Sequence, residues 1–159
     1  MPLSTPKLVR GHGAEDAKIM IVTDYPSGEE YSSGKAGTGF VQRRFESQFR
    51  DCNYDFGRSY ITNLYKRVFH LPKAKNQQAD YIAEYEQAFL PQKYGEIVAN
   101  EIIEVSPNVI LAAGEYACRY LTGRKQILKQ RGSILPLSEI VKQDSGQPNA
   151  IKPHIRVIP

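Results

Sequence analysis

The sequence predicts an α/β domain, a three-layer α/β/α sandwich around a central, mainly parallel four-stranded sheet. Three observations carry that prediction. Short apolar runs such as Ile19-Met20-Ile21-Val22 and Val109-Ile110-Leu111-Ala112 lack the alternation of a one-faced sheet, as expected of strands covered on both sides. Stretches of helical periodicity separate these runs, which favours parallel strands joined by right-handed crossovers. The 159 residues suffice for one core with neither metal nor disulfide support.

Residues 1–17 hold two prolines, two glycines and little periodicity, and read as a surface arm ahead of a domain at 18–159. The first strand begins at Lys18, stops at Asp24-Tyr25-Pro26, and empties into a long loop with glycines at 28, 34, 37 and 39. Such glycines let a backbone approach a ligand closely or take positive φ. From Phe40 the chain turns helical: Phe40, Val41, Phe45 and Phe49 recur on one side and Arg43, Arg44, Glu46 and Arg50 fill the other, to about Cys52-Asn53. Ser59 to Leu64 follows a turn-like segment and reads as the second strand. Residues 68–78 read as loop. The helical pattern of 79–105 is broken at Pro91, giving one helix at 79–90 and a second whose buried stripe is Tyr94, Ile97, Val98, Ile102 and Val105. Asn108 to Gly114 is the third strand, Glu115 to Thr122 a helix, and Gly123 its C′ residue. Arg131-Gly132-Ser133 is a turn, the segment to Asn149 irregular, and His154 to Ile158 the fourth strand. Parallel sheets bind ligands outside the carboxyl ends of their strands. Here those ends carry Asp24-Tyr25-Pro26, Asn63 and Gly114.

Composition narrows the function classes. Cys52 and Cys118 show no CxxC spacing, which gives no support to a disulfide framework or a zinc or iron–sulfur site and suits a reducing, cytoplasmic compartment. No apolar run reaches the ~18 residues of a membrane span, and the N-terminus lacks the apolar core of a signal peptide, so a soluble protein is expected. The net charge of +4 is uneven: residues 1–78 carry 12 Lys/Arg against 8 Asp/Glu, 79–123 carry 2 against 7, and Arg124, Lys125, Lys129 and Arg131 then arrive together. That asymmetry suits a basic face meeting a phosphate backbone; an ordinary mixed surface is the alternative.

Several chemistries fail at named residues. Gly34 to Gly39 has the spacing of a phosphate-binding loop, but Phe40-Val41 stand where Lys-Ser/Thr would hold phosphate and magnesium. No GxGxxG or GxSxG motif occurs, and His12, His70 and His154 lie at no motif spacing. Taken singly, Phe40 reads as core, Asn63 as a turn or cap residue and Asp24 as a loop cap. Their joint placement at neighbouring strand ends points to a pocket.

The run Asp24-Tyr25-Pro26-Ser27-Gly28-Glu29-Glu30, then Gly39-Phe40-Val41, Tyr60 to Lys66, Pro107 to Gly114 and Arg131-Gly132, resembles the uracil-DNA glycosylase superfamily, most of all the branch whose first motif is GEAPG. The resemblance covers about residues 18–159 and lies in order and spacing rather than in any one piece. It implies that Phe40 is the ring on which an extruded uracil stacks and that the Asn63 amide pairs with the polar edge of the base, a donor and an acceptor on one side chain. It places Asp24 and Tyr25 beside the sugar as catalytic residues, backbone such as that of Gly28 against the base, and Lys66, Arg67 and Arg131 near the DNA backbone. Neither metal nor organic cofactor is implied, and the iron–sulfur cysteines of many relatives are missing. Tyr25 stands where relatives have a small residue or a water-positioning aspartate; a phenol is a poor general base at neutral pH, and its bulk suits a steric gate or second stacking surface. The family's histidine motif would follow a strand like Ile155 to Pro159, so a truncated fragment with weak or no glycosylase activity is expected. The partner is DNA with an extruded uracil, and the chain is expected to be a monomer or part of a longer replication protein. The alternative is a non-catalytic DNA-binding module of a replication protein such as a phage DNA polymerase.

Overall fold

The computed structural model describes residues 8–67 and 94–159. The loop expected at 68–78, the helix expected at 79–90 and the break at Pro91 lie outside the described residues. The strands are β1 (His12–Gly13), β2 (Ile19–Thr23), β3 (Tyr60–Asn63), β4 (Val109–Ala113), β5 (Leu135–Pro136) and β6 (Arg156–Ile158). The helices are α1 (Gly28–Ser33), α2 (Phe40–Asp51), α3 (Gly95–Val105), α4 (Glu115–Thr122), α5 (Ile127–Gln130) and α6 (Glu139–Asp144).

The four expected strands form a parallel core in the order β3-β2-β4-β6. Two further strands make the sheet six-stranded: β1 pairs antiparallel with β3 at one edge and β5 antiparallel with β6 at the other. The expected count of four is therefore corrected. Strands two residues long display no periodicity, and only neighbours supplied by the rest of the chain define them. Ahead of β2, Val9 and Ala17 are buried and β1 joins His12 and Gly13 to the sheet.

Period-2 alternation divides the apolar residues between two layers. Met20 and Val22 of β2, Ile110 and Ala112 of β4 and Val157 of β6 join the larger core with Val98 and Ile102 of α3, Ala117 and Leu121 of α4 and Val141 of α6. Ile21 and Ile61 face the other way, against Val9, Ala36 and the partly buried Val41, Phe45 and Phe49 of α2. The mixed three-layer class thus stands as expected, with helices on both faces of the sheet.

Two more local expectations are corrected. The glycine-rich loop contains α1, and the segment expected to be irregular up to Asn149 contains β5 and α6. Both helices are six residues long and start at a serine cap, Ser27 and Ser138, each accepting a backbone N–H from the first turn. By contrast α4 spans its expected residues, and Gly123 closes it in the left-handed region with φ 72, donating its N–H to Arg119.

Candidate functional site at the carboxyl ends of the strands

Two adjacent carboxylates shape the connection between β2 and α2. The Ser27 hydroxyl accepts the Glu30 N–H while Glu30 Oε2 accepts the Ser27 N–H at 2.8 Å, a reciprocal capping box. Glu30 Oε1 accepts the Gly37 N–H at 2.7 Å, so this buried side chain closes the loop on itself. Gly37 has φ 70, and a Cβ there would come within 2.1 Å of Ile61 on β3. Gly39 has φ 66 and leaves room for Glu29, whose carboxylate accepts the Phe40 N–H at the head of α2. These two glycines serve turns and packing. Gly28 differs: it is exposed, and a Cβ there would meet nothing within 4 Å.

The connection delivers Phe40 to the surface. Its ring is 58 % exposed, whereas Val41, Phe45 and Phe49 of the same apolar series pack onto the sheet. The core role open to Phe40 from its spacing is thereby removed. Tyr25, just past β2, is 44 % exposed.

Asn63 ends β3 in register with Thr23, the last residue of β2. Its Nδ2 donates to Thr23 Oγ1 at 2.6 Å, and Thr23 Oγ1 lies 3.5 Å from the Thr62 carbonyl it donates to. The side chain is fully buried, and its Oδ1 has no hydrogen-bond partner among the described residues. A buried carbonyl left without a donor costs about 1–3 kcal/mol. Such groups are rare in native folds and call for a specific reason.

Asp24, one residue past β2, turns its carboxylate to the N-terminus of α4. Oδ1 accepts the Ala117 N–H at 2.8 Å, and a Cβ on Gly114 would lie 2.1 Å from that same oxygen. Glycine at the exit of β4 is required by this packing. Burial pushes the Asp24 carboxyl above its ordinary value of 3.8, and the amides of Ala117, Tyr116 and Glu115 pull it partly back. The carboxylate is thus engaged as a helix cap supplied from a neighbouring strand.

The expectation for Lys66 is corrected. Its side chain is buried, and Nζ lies 2.9 Å from Glu101 Oε2 on α3 and donates to the Thr62 hydroxyl as well. Glu101 also accepts from Thr62 Oγ1 at 2.7 Å and from the Gly11 N–H at 3.2 Å. Burial draws Lys66 below its usual range, with Glu101 opposing. An ammonium held by two acceptors and shielded from solvent is not placed to meet a phosphate. Arg67 is half-buried near Tyr94, and its Nε makes no hydrogen bond to the described residues. Arg131 is exposed beside Gly132, whose N–H donates to the Pro159 carbonyl beyond β6 at 3.2 Å.

The structure therefore gathers Asp24, Tyr25 and Asn63 at adjacent strand ends, places Phe40 on the connection that leaves one of them, and sends Lys66 to the α3 side. A groove of about 790 Å³, lined in part by Arg10, Lys35, Tyr60 and Glu101, follows the β1 edge instead. Sequence reasoning misses Thr23, which aims the Asn63 amide, and Glu29 and Glu30, which set the head of α2. The spacing Ser27-x-x-Glu30 is a readable signal for the last of these; nothing local marks Thr23. Among the described residues no group of three or more His, Cys, Asp or Glu could hold a metal ion, and no helix is long and apolar enough to cross a membrane.

A model of the uracil DNA glycosylase superfamily matches residues 10–151. No curated protein matches the chain.

Proposed function

The chain belongs to the uracil DNA glycosylase superfamily, and from that premise we propose that it recognises a uracil extruded from DNA and hydrolyses its N-glycosidic bond. One observation carries the proposal: the unpartnered carbonyl of Asn63, fully buried at the end of β3 and aimed by Thr23. The polar edge of uracil offers an N3–H donor beside the O4 acceptor. Asn63 Oδ1 accepts that N–H, and the carbonyl gains a partner that none of the described residues supplies. Phe40 provides the platform for the ring face, worth about 1–3 kcal/mol per base. Because Asn63 is fully buried, an incoming base must displace what covers it, and Tyr25, exposed at the next strand end, acts as the gate. The open space over Gly28 admits the nucleotide's sugar and phosphate, and Arg67 and Arg131 meet neighbouring phosphates.

In the reaction a water oxygen bonds to the sugar C1′ as the C1′–N1 bond breaks; the electron pair leaves with uracil as its anion, and the attacking water gives up a proton to solvent, from which the released uracil is reprotonated. Asp24 acts in this scheme by position, tying β2 to α4, and turnover is slow for want of a free carboxylate at Asp24. The run Asp24-Tyr25-Pro26-Ser27 supports kinship with the GEAPG branch. A second reading is favoured by the capping role of Asp24: a non-catalytic DNA-binding module of a replication protein that keeps the base pocket's frame.

Single-turnover release of uracil from single-stranded and duplex oligonucleotides separates the two. The first reading expects release that Asn63→Ala and Phe40→Ala each suppress. DNA binding with no release, indifferent to both substitutions, establishes the second instead.

A further inference from the structure

We propose that Thr23 is a positioning residue whose hydroxyl decides the base, holding the Asn63 amide in the one sense that accepts uracil and refuses cytosine; this rests on the base-site reading above.

A carboxamide fills the same space in two senses, related by a half-turn that exchanges its oxygen and its NH2, and only hydrogen bonding separates them. Uracil and cytosine differ in the same way at their polar edges. Uracil presents N3–H and the O4 acceptor, whereas cytosine presents a bare N3 acceptor and an N4 amino donor. Asn63 with Oδ1 toward the base fits the first, and Asn63 turned by a half-turn fits the second. Discrimination between them therefore requires that the sense be fixed from behind.

Thr23 stands where it can fix it. It lies opposite Asn63 in the β2–β3 register, and its other register partner, Ala113 on β4, brings no polar side-chain atom. The Leu64 N–H donates to the Thr23 carbonyl at 2.8 Å, so backbone holds the two strand ends together just past Asn63. The single hydroxyl hydrogen of Thr23 is directed to the Thr62 carbonyl at 3.5 Å. With that hydrogen committed, Oγ1 offers Asn63 only lone pairs, and it meets Nδ2 at 2.6 Å. The opposite sense would set Oδ1 and Oγ1 against each other as two acceptors. Because Asn63 is fully buried, bulk water does not relieve such a clash. Oδ1 is thereby turned away from Thr23, and it is the atom with no partner among the described residues. Nδ2 carries a second N–H, which stays available for O4.

The rest of β2 is Ile19-Met20-Ile21-Val22, so a hydroxyl enters this strand only at the position facing Asn63. Valine there would keep the branched shape and remove only the hydrogen bonds. That separates positioning from packing.

The test is the ratio of affinities for two single-stranded oligonucleotides, identical but for uracil or cytosine at one position in a run of adenines. A 2′-fluoro sugar at that position keeps the glycosidic bond intact during the measurement. Wild type is expected to prefer uracil by at least ~100-fold. In Thr23→Val, with Thr23→Ala as a second hydroxyl-free variant, the amide turns freely; cytosine affinity rises and the ratio falls at least about tenfold, one hydrogen bond's worth. Thr23→Ser restores a hydroxyl and keeps the wild-type ratio. A variant that is merely less stable weakens both oligonucleotides alike and leaves the ratio where it was. An unchanged ratio in the hydroxyl-free variants, or a fall shared equally by Thr23→Ser, overturns the inference, and a uracil preference that Asn63→Ala abolishes then leaves the base-site reading standing. Wild-type protein that binds the two oligonucleotides alike overturns both.

Discussion

Asn63 and Lys66 leave the same strand three residues apart, and both are buried, yet the fold treats them in opposite ways. Lys66 meets a carboxylate and a hydroxyl from two different elements, and its partner Glu101 gathers further donors from Thr62 and Gly11. Asn63 meets one hydroxyl, and its carbonyl has no partner among the described residues. Lys66 thus finds its partners within the fold, on the α3 side. The open acceptor one strand end away is the group that the proposed function pairs with a base.

The largest effect is expected on the saturated side. Glu101→Ala strands the Lys66 ammonium in the interior and lowers stability by about 3–5 kcal/mol in urea denaturation. A loss under about 1 kcal/mol means that Lys66 reaches solvent and that the contrast is misdrawn. On the open side the pattern inverts. Asn63→Ala removes one hydrogen bond and one unsatisfied carbonyl together, so stability changes by less than about 1 kcal/mol, while affinity for uracil-containing DNA falls at least ~100-fold, as when a site loses the group it was built to pair. Equilibrium binding and denaturation on one preparation read both numbers.

Phe40→Ala comes next. Because the ring is 58 % exposed, stability moves by under about 0.5 kcal/mol, and uracil affinity drops by about tenfold through lost stacking. A large stability loss with unchanged affinity returns Phe40 to the core.

The smallest effect concerns Asp24. Its carboxyl is raised above 3.8 by burial, so the protonated form favours the fold: that contribution is full below pH 3.8 and is lost as pH rises through the raised value. Asp24→Asn keeps an oxygen for the Ala117 N–H and removes the charge. Its thermal midpoint should rise relative to wild type as pH climbs from about 4 to 7, by no more than a few degrees, with uracil binding unchanged. A midpoint difference independent of pH shows that the carboxylate is already solvated.

How much of this was legible follows from where the information lies. β2, β4, α2 and α4 are announced by residues adjacent in sequence, since a strand covered on both faces and an amphipathic helix must show their periods locally. β1 and β5 are too short to show any, and α1 hides among Ser32, Ser33 and Gly34, with only the Ser27–Glu30 spacing to betray it. The resemblance singles out Asn63 and Phe40, and the structure adds that Thr23 pairs with the first and that the second is exposed. Lys66 was misread because its fate depends on Glu101, distant in sequence and brought over by α3; a lysine beside Arg67 looks like any basic surface until that carboxylate arrives. The roles of Asp24 and Gly114 are equally non-local, each making sense only against the other.

The central claim is that Asn63 Oδ1 accepts the N3–H of an extruded uracil, and a single chemical probe reaches it directly. Affinity is measured for two otherwise identical single-stranded oligonucleotides, one carrying uracil and one carrying N3-methyluracil, with wild-type protein and with Asn63→Ala. The wild type is expected to prefer uracil by at least ~100-fold and the variant to bind both alike. Equal binding of the two oligonucleotides by wild-type protein contradicts the claim and leaves the bare carbonyl of Asn63 without a function.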